Sequence, residues 1–164
     1  MRRIIFLAAA AAATVGFIAG HFQTAALAHC QVPCGIYDDS MRITMLREDA
    51  TTIRKAITSM EGLMQDQGHP LHGFNQGVRW ISEKDETATN VQRVVSDYFL
   101  TQRVKSVPQG SPGHDAYLEQ LTRMHAILVA AMKCKQNADM ESVDALDSAI
   151  DAIASYYPHS NEEG

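Results

Sequence analysis

Residues 43–64, ITMLREDATTIRKAITSMEGLM, place Ile43, Leu46, Ala50, Ile53, Ile57, Met60 and Met64 at gaps that alternate three and four. That spacing lays one apolar stripe along a long helix, because 3.6 residues complete a turn. Gly68 and Pro70 stop it. Working outward, a second pattern runs from about His72 to Val104, with Phe74, Val78, Ile81, Ala88, Val91, Val95 and Tyr98 on one face; Asp85 interrupts its middle. Pro108-Gln109-Gly110-Ser111-Pro112-Gly113 reads as a loop, and Ser111 is expected to cap the helix that follows Pro112. That third helix carries Leu118, Leu121, His125, Leu128 and Met132 and fades near Asn137; a fourth carries Val143, Leu146, Ile150 and Ile153. Four stripes with no period-two strand pattern predict an all-α, up-and-down four-helix bundle. The tail from Pro158 is expected to fray.

The bundle accounts for the chain only from about residue 43, and two different segments precede it. Met1-Arg2-Arg3 gives a positive start, Ile4 to Ala19 is apolar and rich in alanine, and Ala26-Leu27-Ala28 presents small residues where a signal peptidase reads. Residues 1–28 are therefore expected to be a cleaved signal peptide, and residues 29–164 one exported domain, periplasmic or extracellular, with no membrane attachment once processed. The apolar run is broken by Gly16, ended by Gly20 and followed by polar residues, which disfavours an anchor. Either the general secretory or the twin-arginine route is compatible with this start.

Composition narrows the partners. The 164 residues carry 14 Lys plus Arg against 19 Asp plus Glu, and cutting after Ala28 removes Arg2 and Arg3 but no acid. The processed chain thus has a formal charge of -7, with no basic block to neutralise a phosphate backbone, so nucleic acid is not an expected partner. Three Cys do not build a multi-bridge scaffold.

The same cut exposes the amine of His29, followed at once by Cys30 in the stretch His29-Cys30-Gln31-Val32-Pro33-Cys34-Gly35-Ile36-Tyr37-Asp38. The His29 amine and the Cys30 backbone nitrogen are two carbons apart, so a metal bound to both closes a five-membered ring. A second ring runs from the Cys30 nitrogen to its own sulfur. Cys34 can supply a fourth donor after a turn favoured by Pro33 and Gly35. Four donors in one plane suit nickel or copper rather than tetrahedral zinc. The His29 imidazole is left for an axial position, where it favours the oxidised metal. Thiolates and an amidate are strong electron donors, and hydrated divalent nickel is otherwise too hard to oxidise for biological redox chemistry. The stretch reads as a non-helical, metal-binding amino-terminal hook.

The pattern His-Cys, two variable residues, Pro-Cys-Gly, one variable residue and Tyr, matched from His29 to Tyr37, resembles the hook of the nickel superoxide dismutases. Asp97-Tyr98-Phe99 is similar to a stretch in that family's second helix. The resemblance implies a four-helix bundle and an oxidoreductase that dismutates superoxide to oxygen and hydrogen peroxide, with nickel, one per chain, cycling between its divalent and trivalent states. It implies that His29 supplies its amine and imidazole, Cys30 its backbone nitrogen and thiolate, and Cys34 its thiolate. Tyr37 is then a catalytic residue beside the ligands, limiting access and holding a water or peroxide. A homohexamer with each hook lodged between subunits is also implied. Gln31 stands where the family often has a short acidic residue, and a family Glu that orients the histidine has no clear counterpart, Thr44 or Met45 falling nearest.

Other readings stand beside this one. An exported nickel or copper carrier or sensor could use the same donors without turnover, although the common amino-terminal nickel and copper motif wants His third. An uncleaved, membrane-tethered bundle would lack the amine. Cys30 and Cys34 could pair as a disulfide in a metal-free form. Cys134 is expected to be a small buried residue, His125 a core histidine, the stripe methionines core filler, and His69 and His72 parts of a turn.

Overall fold

The computed structural model describes residues 39–65 and 68–158, and within them every regular element is helical. The hook, the segment before it and the tail beyond residue 158 lie outside the described residues. Helix α1 spans Asp39–Gln65 and α2 spans Pro70–Arg93, with Pro70 in the first turn, where its missing N–H costs nothing. Helix α2 runs on without a break into a π-helical segment, Val94–Arg103. The segment closes with the Val104 amide donating to the Phe99 carbonyl at 2.8 Å, five residues back. Helices α3 (His114–Gln136) and α4 (Met140–Ala154) complete four antiparallel helices.

The stripes of α1 and α4 pack as their spacing predicts. Ile43, Leu46, Ala50, Ile53 and Ile57 meet Val143, Leu146, Ile150 and Ile153 in one core with Val91, Val95 and Phe99. Asp139 accepts a hydrogen bond from the Ser142 amide at 2.8 Å and so caps α4. Along the α1–α4 seam, Arg54 reaches Asp144 at 2.7 Å and Asp147 at 2.5 Å, and Arg47 reaches Asp151 at 2.8 Å. These half-exposed pairs fix which faces meet more than they add stability.

Three expectations are corrected. The face of α3 that packs inward is not Leu118, His125 and Met132 but the adjacent row Met124, Ile127, Ala131 and Cys134; Leu118 and Met132 are exposed, as is His125. The α3 sequence carries two apolar rows side by side, and the buried one is the one rich in small residues, with Ala130, Ala131 and Cys134 all buried. Ser111 does not cap α3 through its side chain. Gly113, at φ 88°, occupies the cap position, and the His114 amide donates to the Ser111 carbonyl at 3.2 Å.

The third correction concerns length. At 1.5 Å per residue α1 is about 40 Å long and α4 only about 23 Å. Helices α3 and α4 meet at residues 136–140, level with Lys84. Beyond that point α1 and α2 project as a two-helix arm, and Phe74 (72% exposed), Met64 (81%), Val78 and Ile81 face outward instead of entering the core. Met64 is thus not the core filler its place on the stripe suggests.

Lys84 marks where the four-helix body stops. It is buried, and its ammonium donates to the carbonyls of Cys134 at 2.5 Å and Lys135 at 3.0 Å while pairing with Asp85 at 2.7 Å. A positive charge on the last carbonyls of α3 satisfies acceptors that the helix itself leaves open. Asp85, read in the sequence as a flaw in the α2 stripe, serves as the partner of that lysine.

Candidate metal centre

The residues expected to hold metal, His29, Cys30 and Cys34, and the tyrosine beside them, Tyr37, lie outside the described residues, so their arrangement rests on covalent connectivity. Asp39 opens α1, and extended backbone spans at most about 3.6 Å per residue. Tyr37 is therefore held within roughly 7 Å of the start of α1, and Cys34 within roughly 18 Å. The chain enters the described bundle at the end where α1 begins and the π-helical segment ends.

That end is built by side chains that converge on Asp39. The Tyr98 hydroxyl donates to one carboxylate oxygen at 2.5 Å, and the Arg103 guanidinium donates to the other. Arg42 lies over the Tyr98 ring, 5.0 Å from its centroid. Tyr98 meets Phe99 edge-on at 5.2 Å, Phe99 meets Tyr157 at 4.8 Å, and the Tyr157 hydroxyl accepts from Gln120 at 2.9 Å. The chain from Asp39 to Gln120 thus ties α1 to the other three helices at the root of the hook. Tyr98 and Phe99 are adjacent yet both buried, in the segment whose turns widen to i→i+5 bonding. Such π-helical turns are rare and are found mostly at functional sites.

Burial, then the bond to Asp39 and its charge, pushes the Tyr98 phenol up to about 12, with Arg103 and Arg42 opposing. Tyr157 is pushed up to about 12, again by burial first and by the charge of Asp39 second. Both phenols are protonated at neutral pH, so Tyr98 is a fixed donor to Asp39. For Arg103, desolvation alone would lower the pKa, but the hydrogen bond and charge of Asp39 outweigh it and hold the guanidinium above its usual range. Asp39 sits between a phenol and a guanidinium. The helix that follows the hook is anchored at its first residue.

Among the described residues no three His, Cys, Asp or Glu side chains converge as ligands for a metal ion. His69 and His72 stand at the start of α2 in the arm, and His114 contacts the Val107 carbonyl at 2.7 Å. Cys134 is a buried free thiol 3.3 Å from the Ser142 carbonyl, with its pKa pushed up to about 11 by burial. A thiol held neutral in this way is a poor ligand and nucleophile. No helix among the described residues is long and apolar enough to cross a membrane.

The sequence places Tyr98 on the apolar face of the second helix and in a family-like stretch, but gives no sign of Asp39, Arg42 and Arg103. These residues come together across 59 and 64 positions of sequence, and nothing local distinguishes an arginine that will meet Asp39 from one that will face water.

The donor chemistry of residues 29–34 fits nickel: two cysteine thiols, a histidine imidazole and backbone nitrogens lie within six residues. No curated protein and no solved structure matches the chain. The model of the nickel-containing superoxide dismutase family matches residues 24–161, which include the whole hook and nearly all of the helical body. Hook pattern, four-helix body and family match agree, and the chain belongs to the nickel-containing superoxide dismutases, enzymes that convert superoxide to oxygen and hydrogen peroxide with a nickel cofactor.

Proposed function

We propose that the working enzyme begins at His29, after removal of residues 1–28 during export, and that His29, Cys30 and Cys34 hold the nickel. The observation that carries this reading is the uninterrupted pattern His29-Cys30, Pro33-Cys34-Gly35 and Tyr37, placed just before the helix anchored at Asp39. Nickel, when bound, supplies a centre that gains and loses one electron.

The chain's own groups do the rest. The His29 amine and the Cys30 backbone nitrogen offer two adjacent nitrogens, and the thiolates of Cys30 and Cys34 would donate electron density that lowers the reduction potential of the bound metal. The His29 imidazole would favour the oxidised state. Two superoxide ions and two protons become one oxygen and one hydrogen peroxide, so protons must reach the reduced half-reaction. By family resemblance the Tyr37 phenol holds a water or peroxide by hydrogen bonding and limits what approaches. Asp39, two residues further along the chain, is held by Tyr98 and Arg103. The mature protein is a homo-oligomer, a hexamer by family resemblance, located in the periplasm or outside the cell.

Replacing Cys30 or Cys34 by Ser in the chain that starts at His29 tests the ligand set. Each variant should lose nickel, measured by elemental analysis, and superoxide consumption should fall to the uncatalysed rate. Full activity in either would remove that residue from the site. Cys134→Ser should leave nickel content unchanged, because that thiol is buried in the core.

A further inference from the structure

We propose that a polar groove between α1 and α2 binds a phosphorylated heteroaromatic molecule of the mononucleotide type, at a site separate from the metal centre and from the apolar face of the arm. Lys55 of α1 and Gln76, Arg79, Trp80 and Glu83 of α2 line a groove of about 620 Å³, within the roughly 300–1,000 Å³ of small-molecule sites. The steps of three and four from 76 to 83 put the four α2 side chains on one face of the helix. Lys55, Arg79 and Glu83 are exposed, and Gln76 and Trp80 are half-buried. Elsewhere the cations are matched: Arg47, Arg54, Lys84, Arg103 and Arg123 are each paired with a carboxylate. Among the described residues Lys55 and Arg79 meet no carboxylate, although acids outnumber bases 19 to 14 in the chain. The Trp80 ring likewise has no aromatic or cationic group over it and no acceptor for its N–H.

The inventory of donors and acceptors selects the ligand. Two unmatched cations call for a dianion, and a guanidinium fork beside an ammonium suits phosphate oxygens. The indole face offers stacking to a planar ring, and its N–H adds a donor. The remaining groups accept. Glu83 presents a carboxylate, and Gln76, whose amide nitrogen turns to Asn75 at 3.5 Å, leaves its carbonyl oxygen to the groove. The hydroxyls of Thr51 and Thr52 give their protons to the Arg47 and Glu48 carbonyls at 2.9 and 3.0 Å, so they too can only accept. Acceptors so placed require amino or hydroxyl hydrogens on the ligand. A phosphate monoester of a heteroaromatic nucleoside meets all three demands, whereas bare phosphate has no ring and an aromatic amino acid brings one carboxylate to two cations. At physiological salt, charges more than about 8 Å away are largely screened, so the acidic remainder of the chain does little to repel the phosphate.

Trp80 is the single tryptophan of the chain, so its fluorescence, excited where adenine does not absorb, reads the groove directly in the assembled enzyme. Adenosine monophosphate should quench it saturably below millimolar concentration, and adenosine and inorganic phosphate should each bind at least tenfold more weakly, with calorimetry giving the same order. Lys55→Met and Arg79→Met, both at exposed positions, should keep wild-type helicity and nickel content and weaken the nucleotide at least tenfold, the loss expected for one charge-assisted hydrogen bond. Silence toward millimolar adenosine monophosphate would overturn the proposal, and a groove covered in the assembly would give that silence. Unchanged nucleotide binding in both variants would overturn it as well. Phosphate that binds as tightly as the nucleotide would leave only a patch for anions, and phenylalanine that does so would make the ligand an amino acid; either result ends the assignment.

Discussion

Asp39 anchors the first residue of the first helix, and its two bonds have consequences that can be read in solution. Tyr98 and Tyr157, both pushed up to about 12, should remain protonated above pH 10, where a free phenol ionises. In an alkaline titration followed by phenolate absorbance, two of the five tyrosines should therefore ionise late. Because these folded-state values are raised, their contribution to stability is complete below pH 10 and is lost as pH rises toward about 12, where the unfolded chain has released protons that the folded chain still holds. A single transition near pH 10 for all five would mean that the Asp39 cluster does not form. Lys84 makes the second residue-scale case. Lys84→Met keeps the apolar stem but leaves the Cys134 and Lys135 carbonyls without their shared donor, and it should cost about 2 kcal/mol in urea unfolding. An unchanged midpoint would show that water replaces the ammonium without loss.

Two helices show what periodicity can and cannot decide. The stripes of α1 and α4 were legible because each has one apolar row, and burying it leaves the polar residues outside. Helix α3 has two rows, and the choice between them depends on how closely α3 packs against its neighbours, a tertiary quantity that propensity does not contain. Alanine scanning distinguishes the rows: Met124→Ala should cost about 2–5 kcal/mol by opening a cavity in the core, whereas His125→Ala should stay within about 0.5 kcal/mol, as exposed substitutions do. The reverse order, measured by chemical denaturation, would restore the row with His125. In α2 the stripe itself was read correctly, but periodicity says only that a face wants a partner, not which chain supplies it. The π-helical turns and the ties to Asp39 were not legible, since they arise from contacts about 60 residues apart. The hook pattern is a reading of the sequence alone: its proposed donors lie within six residues, and their chelate rings would be set by covalent geometry.

The molecule as a whole separates its tasks along the bundle axis. One end, where α1 begins, is tied together by Asp39, Tyr98, Phe99, Tyr157 and Arg103; the middle holds the core; the other end is an apolar arm that extends beyond α3 and α4. On the proposed reading, a catalytic segment of about ten residues precedes this body, and the amine created by cleavage is its decisive donor. The most direct measurement compares two purified chains, one beginning at His29 and one that retains Ala28, for nickel per chain and for superoxide consumption. Every side chain of the hook is present in both, and only the nitrogen of His29 changes from amine to amide. The account predicts about one nickel per chain and rapid turnover for the first, with both strongly reduced for the second. Equal nickel content and equal turnover would show that the His29 amine is not a ligand and would contradict the site proposed here.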